Sequence, residues 1–257
     1  MYFFHGGGYV CPAVPGHFEW CLRAYVAAAA DHPDDHVAVA LLQYTLCPPA
    51  RYPSQLIQAA AGLAHLLKTV RPGNIIIGGD SAGGNLAAGL LGHLLHPHPD
   101  AQEIKLDEPL AGAFTVSPWL SARTNSASFH KNGSIDMLSA RILAPAIRNL
   151  LDGTTQAAEE AKGKGWAMPA DIDMESWFKG LGGIIKRLYI TVGTQEVFLD
   201  QGLAFAEAVR NGNPDLDLRL EQTKHEAHDW ILLEGDERED GDATKRMRAW
   251  ASTAFWG

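Results

Sequence analysis

The sequence predicts an α/β protein built on a mainly parallel sheet of about six strands flanked by helices. Two observations carry this. Apolar, strand-like runs alternate with stretches of helical periodicity, the pattern of repeated β-α-β units whose crossovers put helices on both faces of a parallel sheet. The runs at 36–42 and 74–78 are also almost continuously apolar, as strands covered on both faces are.

In chain order, residues 2–4 form a short apolar strand that runs into His5-Gly6-Gly7-Gly8. Residues 17–30 are Ala-rich and favour a helix that stops near His32-Pro33. Residues 36–42 form a strand, expected at an exposed edge of the sheet with a neighbour on one side only. Pro53 suits the first position of a helix over 54–70, where its missing N–H costs nothing. Residues 74–78 are the clearest strand, followed by a sharp Gly-rich turn and a helix over 85–95. Further strands are expected at 109–116, 187–192 and 216–220, with helices at 202–210 and 244–255. The stretch at about 118–184 breaks this rhythm with helical patches and Gly/Lys-rich gaps. An insertion of that length inside a compact domain reads as a cap or lid. The expected organisation is one domain over 1–257 carrying that insertion.

Bulk properties exclude several classes. The formal net charge is −9 with no basic cluster, so nothing concentrates enough positive charge to neutralise nucleic-acid phosphates. The acidic run near Glu234 and Asp240 reads as a solvated loop. Cys11, Cys21 and Cys47 lack metal-ligand spacing and read as buried or half-buried thiols of a reducing compartment. His93, His96 and His98 read as surface histidines, with no carboxylate or cysteine pattern to make a metal site. No apolar run reaches membrane-spanning length. The chain by itself points to the cytoplasm, although Met1 stands directly before a buried strand and an upstream targeting segment would change that reading. Oligomeric state is not readable.

The chemistry concentrates at two glycine-rich turns. Gly79-Asp80-Ser81-Ala82-Gly83 matches G-x-S-x-G between the clearest strand and a helix. That context forces the serine into strained backbone geometry and lifts its hydroxyl above the sheet. Glycines flank it because side chains there would collide with the neighbouring strand and helix. His5-Gly6-Gly7-Gly8 also follows a strand. Its glycines let backbone N–H groups approach an oxyanion, and a phosphate-binding loop would instead need a Lys-Ser/Thr ending. A serine hydroxyl needs a base and an orienting acid, in the chain order Ser, Asp or Glu, His. Glu196 and Asp200 are the candidate acids, and His225 and His228 the candidate bases. All four follow expected strand ends, where parallel sheets place their sites.

These motifs resemble the hormone-sensitive-lipase-like esterases of the α/β-hydrolase fold. The resemblance rests on His5-Gly6-Gly7-Gly8, Gly79-Asp80-Ser81-Ala82-Gly83-Gly84-Asn85, and Tyr44-Thr45-Leu46-Cys47-Pro48-Pro49 with Tyr52-Pro53. It implies Ser81 as nucleophile, Glu196 as acid within G-x-x-[D/E], and His228 as base within H-G-F or a close variant, here His228-Asp229-Trp230. It further implies Gly7, Gly8 and Ala82 as oxyanion donors, with Gly6 shaping the turn. Asp200 is then expected to cap a helix, and the His5 ring to orient its own loop. The chain departs from the family pattern at Pro49, where a Glu is usual. It also lacks the two antiparallel strands and cap helices that precede the HGGG segment in the family.

The resemblance implies a serine carboxylesterase acting on small-molecule esters of small or medium acyl groups without a cofactor. Two alternatives are a ligand-binding protein on the same fold, as in the gibberellin receptor, and a hydrolase inactivated by N-terminal shortening. Retention of both Ser81 and His228 favours the enzyme.

Overall fold

A computed structural model describes residues 1–257. Strand β1 (Tyr2–Phe4) leads to helix α1 (Pro15–Ala24), strand β2 (Ala40–Leu42), helix α2 (Ser54–Leu66), strand β3 (Ile76–Asp80), helix α3 (Ser81–Leu95) and strand β4 (Gly112–Val116). Four helical segments follow: α4 (Ala127–Asn132), α5 (Ala140–Leu151), α6 (Gln156–Glu160) and α7 (Met174–Trp177). The chain then re-enters the sheet with β5 (Arg187–Gly193), α8 (Leu199–Gly212) and β6 (Asp217–Thr223), and closes with α9 (Trp230–Asp236) and α10 (Asp242–Trp256). The six strands form one sheet in the order β2-β1-β3-β4-β5-β6, and every pairing is parallel.

The strand period of two sorts the core into two layers. Tyr2, Phe4, Ile77, Ala113, Leu188 and Ile190 point into one cluster, which includes residues of α2, α3, α8 and the insertion. Phe3, Ile76, Phe114, Val116 and Tyr189 point into the other, with Trp20, Met247 and Trp250 from α1 and α10. Three central strands are buried throughout, which is why they read as continuous apolar runs. No helix is long and apolar enough to cross a membrane.

Several boundaries differ from the sequence expectation for identifiable reasons. The edge strand pairs only β1, as expected, but it spans Ala40–Leu42 rather than 36–42 and is half-buried. Its partner begins at Tyr2, and the pairing fades beyond Met1, whose carbonyl accepts from the Ala40 N–H and whose amine donates to the Ala38 carbonyl. The 17–30 helix divides into α1 and a short 3₁₀ turn, Val26–Ala29. Helix α3 begins at Ser81 rather than 85, because Gly83 and Gly84 continue the helix despite their poor intrinsic propensity. His93 and His98 are buried rather than on the surface. The His93 Nδ1 accepts from the His98 N–H and its Nε2 donates to the Gln102 carbonyl. Cys11 is exposed, whereas Cys21 and Cys47 are buried.

The β3–α3 turn lies directly against β1. A Cβ added at Gly79 or at Gly83 would land on the Phe4 carbonyl oxygen, which is backbone and cannot rotate away. Gly83→Ala is therefore expected to lower stability by about 3 kcal/mol, read as a shifted urea midpoint. Gly182→Ala, where an added Cβ meets nothing within 4 Å, should stay within about 0.5 kcal/mol of the parent.

Candidate active site

Ser81 has a φ of 50°, a left-handed conformation that a residue with a side chain adopts at a cost of roughly 1–3 kcal/mol. Close packing of Gly79 and Gly83 on β1 leaves the chain no gentler path from strand to helix. The same approach brings the HGGG loop alongside. The Gly6 N–H donates to Asp80 Oδ2 at 3.0 Å, and a Cβ on Gly6 would strike that oxygen. Gly7 and Gly8 have φ values of 99° and 59°, and neither N–H has an acceptor within the protein. Ala82 lies in the first turn of α3, where a helix supplies no intrahelical acceptor. The His5 ring stacks on Tyr44 with centroids 4.3 Å apart, and the Tyr44 hydroxyl donates to the His5 carbonyl at 2.7 Å. That anchors the start of the loop.

His228 Nε2 lies 2.9 Å from Ser81 Oγ. Its other ring nitrogen faces Glu196 Oε2 at 4.0 Å, which is outside hydrogen-bonding reach, so His228 Nδ1 has no partner. Glu196 is fully buried, and its Oε2 accepts from the Ser117 hydroxyl at 2.5 Å. A second carboxylate intervenes: Asp229 Oδ2 is 3.0 Å from His228 Nε2, on the same nitrogen that faces the serine. Burial disfavours the His228 cation, but Asp229, with Glu196 and Asp136, outweighs it and raises the pKa to about 9. Burial likewise raises the pKa of Asp229 to about 6, against the attraction of His228. Burial pushes the Glu196 carboxyl upward as well, opposed by His228 and Ser117.

The helical insertion holds these groups in place. Asp136 Oδ1 accepts from the His228 N–H at 3.2 Å, and Oδ2 accepts from the Val197 N–H at 2.7 Å. Asn132 Nδ2 donates to the Glu196 carbonyl at 2.8 Å. One short segment after β4 thus ties the loop after β5 to the loop after β6. On the other side of the sheet, His17 of α1 approaches Asp80 Oδ2 with its Nε2 at 3.2 Å. Burial works against the His17 cation, yet Asp80 raises its pKa.

Of the residues singled out from sequence, Ser81, His228 and the HGGG loop come together, and Glu196 stands one step behind His228. His225 does not join them: its side chain is exposed, and its N–H donates to Thr194 Oγ1 at 3.0 Å. Asp200 does not cap its own helix as expected. Its Oδ2 accepts from the Ser128 N–H at 2.7 Å, near the start of α4. Sequence reasoning missed His17, Ser117, Asn132, Asp136 and the position of the Asp229 carboxylate. Asp80 alone carried a signal, since it lies inside G-x-S-x-G. A mainly apolar cleft of about 400 Å³, lined by Met1, Val37, Val39, Ile75 and Trp256 among others, opens at the N-terminal ends of the strands, away from Ser81.

Residues 1–232 match a family model described as alpha/beta hydrolase fold. Steryl acetyl hydrolase 1 of Saccharomyces cerevisiae is 29% identical over 134 residues, covering 51% of this chain and 28% of its own length. An esterase of Acinetobacter venetianus is 26% identical over 223 residues, covering 86% of this chain and 64% of its own length. The chain therefore spans less than two thirds of either curated relative. Among solved structures, an esterase from the bacterial hormone-sensitive lipase (HSL) family superposes with a TM-score of 0.77 at 25% identity, over 99% of this chain and 76% of that one. By its family-model match, its parallel six-stranded sheet and its strand–Ser81–helix turn, the chain belongs to the α/β-hydrolase fold family.

Proposed function

We propose that this chain is a serine carboxylesterase that hydrolyses small-molecule esters of small or medium acyl groups through a Ser81–His228–Glu196 triad. The observation that carries the reading is the 2.9 Å approach of His228 Nε2 to Ser81 Oγ, beside the unpartnered N–H groups of Gly7 and Gly8. In the reaction, Ser81 Oγ attacks the ester carbonyl carbon as its proton passes to His228 Nε2. The carbonyl oxygen becomes an oxyanion, which the Gly7, Gly8 and Ala82 N–H groups stabilise. His228 returns the proton to the departing alkoxide, leaving an acyl-Ser81 ester. Water, deprotonated by His228, then attacks that ester, and Ser81 recovers its proton. Glu196 stabilises the imidazolium through its charge, and no cofactor enters the cycle. The insertion at about 118–184 serves as the cap of a single domain and shapes the acyl and alcohol pocket. Similarity to an esterase and to a steryl acetyl hydrolase supports this class of substrate.

On a p-nitrophenyl ester, Ser81→Ala should leave only the residual rate that binding and the oxyanion donors provide. A fluorophosphonate probe should label the parent chain at Ser81 and leave the folded variant unlabelled. A folded parent that the probe never labels would favour the ligand-binding reading instead. Activity of Ser81→Ala equal to the parent, in enzyme cleared of host esterases, would refute the assignment.

Gly8→Val should also lower kcat severely, by on the order of 3 kcal/mol in transition-state stabilisation. The cause is backbone conformation rather than space: an added Cβ meets Ala146 at an ordinary 3.6 Å, but a β-branched residue at φ 59° is an outlier. Slow labelling of Ser81 should persist in that variant, since nucleophile and base remain.

The base must be neutral to accept the serine proton. Because the His228 pKa is raised, the imidazole is protonated below about pH 9 and becomes available only as pH rises through that value. The kcat/KM profile should therefore climb from neutral into alkaline pH. An acid limb with its midpoint at or below the ordinary 6.5 of histidine would contradict this.

A further inference from the structure

Asp229 stands in a place where the proposed chemistry has no use for a negative charge. Its carboxylate lies 3.0 Å from His228 Nε2, whereas Glu196 lies 4.0 Å from His228 Nδ1. Two carboxylates thus compete for the imidazole proton from opposite ring nitrogens. A serine base needs the proton on Nδ1 and a free lone pair on Nε2. Asp229 instead favours a proton on Nε2 through its charge at 3.0 Å, so the ring is held as the cation with N–H on both nitrogens, although the hydrogen bond of Nε2 is with Ser81 Oγ. The shorter contact is the one on the working nitrogen.

We propose that Asp229 is a brake on the base: its carboxylate holds the His228 proton on Nε2 and sets the pH above which Ser81 can be deprotonated. The proposal rests on the esterase reading of this site. No oxidant or co-reactant is involved. Release of the brake is loss of the Nε2 proton to solvent, with one proton kept on Nδ1 toward Glu196. The geometry has three further supports. Asp229 adopts φ 53°, a conformation that Asn and Asp tolerate better than most residues, so the carboxylate does not depend on a helical or extended backbone there. Asp229 Oδ1 is buried and has no partner, so no hydrogen-bond donor at that oxygen offsets the charge facing His228. The Asp229 N–H points to Ser117 Oγ at 3.4 Å, which holds the backbone in register with the loop carrying Glu196.

The charges facing Asp229 come from several elements. His228 is its neighbour, Asp80 approaches from the end of β3, His17 from α1 and Glu196 from the loop after β5. Asp136, from the insertion, acts on His228. Asp80 and Glu196 repel the Asp229 charge, while His17 and His228 attract it. Burial pushes the Asp229 carboxyl upward, and the His228 cation 3.0 Å away opposes that push and favours the ionised carboxylate.

The test compares the parent, Asp229→Asn and Asp229→Gly, both chosen to fit the positive φ. Their pH profiles of kcat/KM on a p-nitrophenyl ester are the first readout. Both variants should show an acid limb displaced toward lower pH by about one unit, and about tenfold higher activity on the rising part of the parent's limb. Profiles that superimpose on the parent's, or activity that falls at every pH in folded variants, would overturn the proposal. The second readout does not require turnover. ¹⁵N shifts of the His228 ring, followed through a pH titration in a Ser81→Ala background, should show the imidazolium persisting about one pH unit higher with Asp229 present than in Asp229→Asn. Superimposable titrations would overturn the brake even if the parent proves to be an inert hydrolase. A parent that neither turns over nor takes the fluorophosphonate probe, yet shows the shifted ring titration, would overturn the esterase reading and leave the charge effect of Asp229 on His228 standing.

Discussion

Phe4 and the turn from β3 into α3 lie so close that no side chain fits between them. Gly79 and Gly83 both abut the Phe4 carbonyl, and most of the site follows from that contact. It leaves Ser81 as the elbow at φ 50°. It also carries the HGGG loop, the direct continuation of β1, over the elbow, where Asp80 captures the Gly6 N–H. Ser81 and the unpartnered N–H groups of Gly7 and Gly8 are thereby set side by side by backbone packing alone. Interiors are packed as densely as organic crystals, so the contact cannot be relaxed locally, and the strain at Ser81 persists because the surrounding sheet over-determines it.

Around that contact the protein concentrates buried charge. Asp80, Glu196 and Asp229 are all buried, and the bases that face them are His5, His17 and His228. Burying an ion costs several kcal/mol unless partners repay it, and several polar atoms here remain unpaired, including Asp80 Oδ1, Glu196 Oε1, His228 Nδ1 and Asp229 Oδ1. Ser81, Ser117 and Asp229 add backbone strain through their positive φ angles, at roughly 1–3 kcal/mol each. Against a typical net stability of about 5–15 kcal/mol, such a cluster survives only on the two apolar layers that sandwich the sheet. The raised pKa values of His228 and Glu196 are the electrostatic side of the same crowding.

The insertion contributes positioning that its sequence does not advertise. Asp136 and Asn132 reach from the region after β4 to the backbone of the loops after β5 and β6. They bind N–H and carbonyl groups, so their partners can be almost any residue, and no spacing in the sequence reveals the pairing. A change in the insertion can in this way move both Glu196 and His228 without touching either side chain.

The sequence by itself determined the sheet and its flanking helices, because strand and helix periods are local properties of the chain. It also determined the elbow and the glycine loop, since those residues must be glycine for reasons of close approach within a few positions of Ser81 and Phe4. Chain order narrowed the partners of Ser81 to Glu196 or Asp200 and to His225 or His228. Tertiary structure alone decided that His228 approaches the serine while His225 faces solvent, that Glu196 stops 4.0 Å short of the ring, and that Asp229 sits 3.0 Å from the nitrogen facing Ser81. These outcomes turn on side-chain directions at loop ends brought together from more than a hundred residues apart, and ångström-scale differences between hydrogen-bonded and merely neighbouring groups leave no trace in residue spacing. The same holds for the edge strand and for His93 and His98, whose burial depends on which segments pack over them rather than on their own neighbours in the chain.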